Sequence, residues 1–95
     1  MPRLNTKQIA QRLKTIPDWK KRKQLISRTY VFEGFPDSIK FVDRVAKKAE
    51  AMNHHPDLDI RWNQVTLTLT THDEKGLTEN DFALAEKCDQ IAAGF

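Results

Sequence analysis

The sequence predicts an α+β fold: a four-stranded antiparallel sheet with three helices packed on one face, in the order α-β-β-α-β-β-α. Three observations predict it. Apolar residues recur at helical spacing in three segments and at alternate positions in the segments between them. Turn and stop residues separate the segments. The connections are short, which favours antiparallel neighbours and helices gathered on one side. No repeat, low-complexity stretch or linker divides the 95 residues, so one domain over 1–95 is expected.

The first helix starts at Asn5 or Thr6, both good N-caps. Ile9, Ala10, Leu13 and Ile16 form its apolar stripe and Pro17 stops it. From Trp19 to Glu33 the pattern turns extended, with the stretch around Trp19 a candidate partner strand. Ile26, Arg28, Tyr30 and Phe32 share one face; Leu25, Ser27, Thr29 and Val31 share the other. Apolar groups on both faces suggest a strand covered on both sides. Gly34 ends it, and Pro36 suits the first turn of a second helix. Ile39, Val42, Val45, Ala46, Ala49 and Met52 make that helix's apolar stripe, with Lys40, Arg44, Lys47 and Lys48 on the wet side. The helix ends before Pro56, because a residue preceding proline is pushed from helical angles.

Leu58, Ile60 and Trp62 alternate with Asp59 and Arg61 as in a short strand, and Asn63 is the expected turn residue. Val65, Leu67 and Leu69 then alternate with Thr66, Thr68 and Thr70, a half-buried strand that leaves His72 on the threonine side. Thr78-Glu79-Asn80-Asp81 reads as a capping box with Asp in its last position, and Leu77 and Phe82 stand where a hydrophobic staple would put them. Leu84, Ala85, Cys88, Ile91 and Ala92 continue the third helix.

Composition excludes several classes. The net charge is +3 and the sequence pI about 9.2, but only Lys20-Lys21-Arg22-Lys23 forms a run. No aromatic residue interleaves it, so a solvated strand or loop edge is favoured over a nucleic-acid interface. No stretch approaches the length of a membrane span, and the first residues lack an apolar core of the signal-peptide type. The single cysteine forbids an intrachain disulfide and favours a reducing compartment, the cytoplasm. A domain this small buries a modest fraction of its surface, and association between subunits is the natural source of added stability.

All three histidines, His54, His55 and His72, fall at places where a helix or a strand gives out. A structural explanation is available: the helix dipole favours a histidine at a helix C-terminus, and His72 alone is an ordinary loop residue. A zinc site with an open position is another. Against it, adjacent helical histidines point apart, Cys88 belongs to a core stripe, and no HExxH or CxxC pattern exists. From spacing alone a functional cluster and a structural explanation both stay open.

Glu50-Ala51-Met52-Asn53-His54-His55-Pro56, then Trp62, Thr71-His72, Gly76-Leu77-Thr78 and Asp81 resemble the signature of the pterin-4a-carbinolamine dehydratases. The spacing is Glu, three residues, His-His-Pro, five residues, an aromatic, nine residues, His, eight residues, Asp. The resemblance extends through Ile26–Phe32 and Leu84-Ala85 to nearly the whole chain. It implies dehydration of 4a-hydroxytetrahydrobiopterin to quinonoid dihydropterin and water, in tetrahydrobiopterin recycling, with no metal and no organic cofactor. Independently of the resemblance, the threonine-rich face of the last strand, opposite the helix-covered face, and the small size of the domain predict a homodimer or homotetramer built at least partly through sheet edges or exposed faces.

The resemblance also assigns roles. His54 and His72 would be the acid–base pair, and His55 chiefly a binding residue that completes the catalytic histidines. Asn53, Thr70, Thr71 and Asp73 would line the substrate pocket with the three rings. Glu50, one helical turn before His54, could orient that ring or be a surface carboxylate. Asp81 would support the site, though capping already explains it; Trp62 is expected in the core or the pocket wall. Imidazole suits such chemistry, because both of its protonation states are accessible near neutral pH. Two departures stand out: Asn53 where relatives often carry Asp, and Lys75 where they carry a small residue. The competing function is a protein-interaction module that stabilises a partner, as some relatives stabilise a transcription-factor dimer. A basic nucleic-acid binder rests on pI and the lysine run alone.

Overall fold

The computed structural model describes residues 2–95. The chain runs α1 (Thr6–Leu13), β1 (Lys20–Arg22), β2 (Leu25–Val31), α2 (Phe35–Met52), β3 (Asp57–Arg61), β4 (Gln64–Leu69) and α3 (Glu79–Ala93), with a 3₁₀ turn at His72–Glu74. The strands form one antiparallel sheet of order β1-β2-β4-β3. Directly opposed residues share a face, so the register sorts the side chains. Ile26 opposes Leu69 and Tyr30 opposes Val65 on the inner face; Ser27 opposes Thr68 and Thr29 opposes Thr66 on the outer. The inner face meets Phe41, Val45 and Ala49 of α2 and Phe82, Leu84, Ala85 and Cys88 of α3, all buried.

Arg28 lies on this inner face and has a charged partner there. Asp89 of α3 accepts from Arg28 Nη1 at 2.7 Å, from Trp19 Nε1 at 2.9 Å and from the Tyr30 hydroxyl. One carboxylate thus ties α3 to β2 and to the segment before β1. Burial, then the bond to Asp89, pushes the Tyr30 phenol upward. Burial beside the Asp89 charge pushes the Cys88 thiol up to about 12, so it is unionised at neutral pH.

Both cap assignments hold. Asn5 caps α1 in a capping box with Gln8, and Thr78 caps α3 in one with Asp81. Helix α1 itself buries no residue. It is attached by half-buried Ile9 and Leu13 packed against the core, by Leu4 N–H donating to Leu77 O at 2.8 Å, and by Arg12 gripping Glu79 with contacts of 2.6–3.1 Å.

Several expectations change. Helix α1 ends at Leu13 rather than at Pro17; Lys14, Thr15 and Ile16 N–H groups bond three residues back, and this tighter coil delivers Ile16 to the core. Ala10 is exposed. The stripe of α2 is rotated from the expected one: Ser38, Phe41, Val45 and Ala49 are buried, whereas Ala46 is exposed. Phe41 sets the phase because its ring packs against Tyr30 and Phe32, with centroids 4.7 and 5.0 Å away. Strand β2 is covered on one side only, since Thr29 and Val31 on its outer face are exposed. Strand β3 is exposed throughout: Leu58 and Ile60 face inward but lie beyond the helices, at the sheet edge. Trp62 is neither core nor pocket wall. It sits at φ 50° in the β3–β4 turn and is 70 % exposed.

Candidate active site

Helix α2 stops in a way that aims the histidine pair. Asn53 takes the left-handed conformation at φ 50°, ψ 44°, which Asn tolerates better than most residues. Asn53 N–H donates to Glu50 O at 3.1 Å and His54 N–H to Ala49 O at 3.0 Å, the paired bonds that close a helix behind a left-handed residue. The reversal turns His54 inward under the sheet end, 8 % exposed, and leaves His55 outside.

His72 is held by a different device. Beyond β4, Thr71 and Gly76 form an isolated antiparallel bridge, with N–H to O distances of 3.0 and 3.3 Å. The bridge pinches residues 72–75 into a tight loop that begins with His72. Thr70 anchors the approach by donating from Oγ1 to Gln24 O at 2.6 Å. Arg3 lies across Gly76, where an added Cβ would fall 2.4 Å from Arg3 Cδ.

The two ends meet. Asn53, His54, His55, Thr70, Thr71, His72 and Asp73 line one open cleft of about 200 Å³. All seven proposed substrate-binding positions therefore surround one space. Among the described residues, no group of three or more His, Cys, Asp or Glu side chains converges as a metal-ligand set.

Beneath the cleft lies a buried polar network. His54 Nε2 is 2.6 Å from Asp81 Oδ1, and the Asp81 side chain is fully buried. Asp81 Oδ2 accepts from Thr71 Oγ1 at 2.8 Å and from the Thr78 N–H at 2.9 Å. An ionised carboxylate only accepts, so it assigns the hydrogen to His54 Nε2 and leaves Nδ1 as the lone-pair nitrogen of the neutral ring. Glu50 pairs with His55 Nε2 at 2.8 Å rather than with His54. That pair is exposed, with 59 % of the His55 side chain and 80 % of the Glu50 side chain open to solvent. Helical spacing alone brought Glu50 toward His54; the left-handed Asn53 takes His54 off the helix surface and leaves Glu50 to His55.

Sequence reasoning missed Thr78 and Gln24 as parts of this site. The Thr78 hydroxyl is 2.9 Å from Thr71 Oγ1, so the cap of α3 also braces the cleft wall. Its capping position was the available signal. Gln24 contributes only a backbone carbonyl, which no side-chain pattern reveals.

A helix end, a strand end and a helix start thus bring three imidazoles to one cleft over a buried carboxylate. The chain belongs to the pterin 4 alpha carbinolamine dehydratase family, whose model matches residues 2–91. It is 54 % identical over 91 residues to a Chloroflexus aurantiacus protein provisionally named a pterin-4-alpha-carbinolamine dehydratase, covering 96 % of this chain and 98 % of that one. A Thermomicrobium roseum protein with the same provisional name is 47 % identical over 93 residues, 98 % of this chain and all of its own. A crystal structure described as a transcriptional coactivator/pterin dehydratase from Brucella melitensis superposes with a TM-score of 0.92 at 34 % identity, over 95 % of this chain and 98 % of that one. A pterin dehydratase-like protein described as a RuBisCO assembly factor of the alpha-carboxysome shares the fold, with a TM-score of 0.66 at 21 % identity over 78 % of this chain and 86 % of its own. No helix among the described residues is long and apolar enough to cross a membrane.

Proposed function

We propose that this chain, as one catalytic domain, dehydrates a pterin-4a-carbinolamine to the quinonoid dihydropterin by histidine acid–base catalysis, without a metal, in recycling of tetrahydrobiopterin. The observation that carries the reading is the convergence of His54, His55 and His72 on one cleft, with His54 bonded to buried Asp81. The substrate carries a hydroxyl on C4a next to N5–H. One imidazolium gives a proton to the hydroxyl, the C–O bond breaks and water leaves. A neutral imidazole takes the N5 proton, and the electron pair closes the C4a=N5 bond. His54 and His72 are the pair assigned to these transfers, and His55 binds. His54 is held in place for these transfers by the bond from its Nε2 to buried Asp81.

A cytoplasmic setting fits the lone, buried, unpaired Cys88. Self-association through the sheet edge or bare face fits the exposed Val31, Leu58, Ile60 and Trp62. The same apolar edge favours the second reading, a module that stabilises a protein partner.

A coupled dehydration assay separates the two. Wild-type protein is expected to accelerate dehydration and to keep full activity after exhaustive chelation. If His54 and His72 approach the hydroxyl from different sides, replacing either with Ala slows one C4a stereoisomer far more than the other. Each loss is expected at about 10²- to 10⁴-fold, the usual contribution of a general acid or base. His55→Ala mainly raises KM. A folded His54→Ala/His72→Ala variant working at the wild-type rate overturns the reading, and zinc-restored activity after chelation replaces it with a metal mechanism.

A further inference from the structure

The histidine cleft is too small to be the whole binding site. At about 200 Å³ it falls below the roughly 300–1,000 Å³ typical of small-molecule sites. It continues into an adjoining open pocket of about 760 Å³, and the two share Thr70 and His72 as a common wall. The rest of that second pocket is Lys23, Gln24, Leu25 and Lys75. Two cations therefore line it and no carboxylate does; Asp73 belongs to the histidine cleft.

Both lysines are placed by backbone conformations that Lys does not favour. Lys23 has φ 54° in the β1–β2 turn and Lys75 has φ 56° after the 3₁₀ turn. Glycine would occupy either position at less cost, since a left-handed residue with a Cβ costs about 1–2 kcal/mol. Retained strain of this kind points to use of the side chain. The turn carrying Lys23 and Gln24 is moreover tied to the cleft by Thr70 Oγ1 donating to Gln24 O at 2.6 Å, and Arg3 Nη1 reaches Lys75 O at 3.4 Å from the far side.

Resting on the dehydratase reading, we infer that Lys23 and Lys75 form a side-chain subsite, and that the preferred pterin carries an anionic C6 substituent ending in phosphate or carboxylate. The bicyclic ring lies among the histidines. Its C6 chain passes His72 and Thr70 and ends between the two ammonium groups.

The test is calorimetric binding of three stable 7,8-dihydropterins to the full chain. One carries a neutral dihydroxypropyl chain at C6, one the same chain ended in phosphate, one a carboxylate-ended chain. At least one anionic ligand is expected to bind about tenfold tighter than the neutral one, the scale of two partly exposed ion pairs together. The preference shrinks as salt is raised. In a Lys23→Met/Lys75→Met variant, confirmed as folded by circular dichroism, the ratio of anionic to neutral affinity falls toward one. Whichever anion keeps the larger advantage identifies the terminal group. Equal affinities in the wild type overturn the inference, as does a preference that survives in the variant. Neutral-pterin binding and turnover without any anion preference would sink this inference alone. Anion preference without dehydration would sink the dehydratase reading and leave the subsite standing. Failure of all three pterins to bind overturns both.

Discussion

His54 is 8 % exposed against a fully buried carboxylate, whereas His55, its neighbour in sequence, pairs with a carboxylate open to water. The two pairs have nearly equal lengths, 2.6 and 2.8 Å, so burial is what separates their worth. An exposed pair contributes little because water screens it and two side chains must be immobilised. A buried carboxylate that loses a partner keeps its full desolvation cost. Asp81→Asn is therefore expected to lower kcat at least about tenfold with a smaller change in KM, because it disturbs a positioning group and not substrate contacts. It also sets an amide N–H against one of three donors, at a cost of about 1–3 kcal/mol of stability. Glu50→Gln is expected to change kcat by less than about twofold and stability by less than about 1 kcal/mol. Steady-state kinetics and denaturant titrations on the two variants check this; equal effects from both would remove Asp81's special role.

At the scale of elements, α1 is the least integrated helix, with no buried residue of its own. Its ion pair joins Arg12 to Glu79 in the first turn of α3, where a carboxylate also complements the helix dipole. The Arg12 hydrogen bond and charge hold the Glu79 carboxyl below its ordinary value of 4.5. The folded chain thus binds this proton more weakly than the unfolded chain does. The resulting stability is fully present above the ordinary carboxylate range and is lost as pH falls through the lowered folded value. Glu79→Gln is expected to lower the denaturant midpoint slightly at neutral pH, with the gap to wild type closing in acid and narrowing in salt. A gap that persists unchanged at low pH would show that capping or packing, and not the ion pair, is at stake.

The whole molecule presents two unlike sheet edges. Strand β1 is short and carries Lys20, Lys21 and Arg22, the kind of charge that discourages strand addition. Strand β3 is longer, and Leu58 and Ile60 on it are 43 % and 37 % exposed next to Trp62 at 70 %. An open edge with apolar groups on a small domain favours pairing with a second copy. Light scattering at micromolar concentration is expected to find a dimer or tetramer, and Ile60→Lys to shift it toward monomer. A monomeric wild type would reject this assembly and leave the exposed edge to another partner.

The order of elements and both capping boxes were legible in local sequence signals, whereas the seven residues around the cleft were expected only through the family resemblance. Caps, prolines and strand alternation act over a few residues, and the His-His-Pro and Thr-His positions sit where such local signals end an element. Three features needed the tertiary structure. The rotation of α2 depended on Phe41 finding Tyr30 and Phe32, rings near the end of β2 and just past it. The exposure of Trp62 depended on its place in the β3–β4 turn at φ 50°, outside the strand alternation that predicted it inward. The choice of Asp81 for His54 and Glu50 for His55 depended on a left-handed Asn53 and on α3 starting beneath the end of α2. Local periodicity determines which face of an element turns inward. What that face meets is decided by packing between segments distant in sequence, and partners in a site are chosen there.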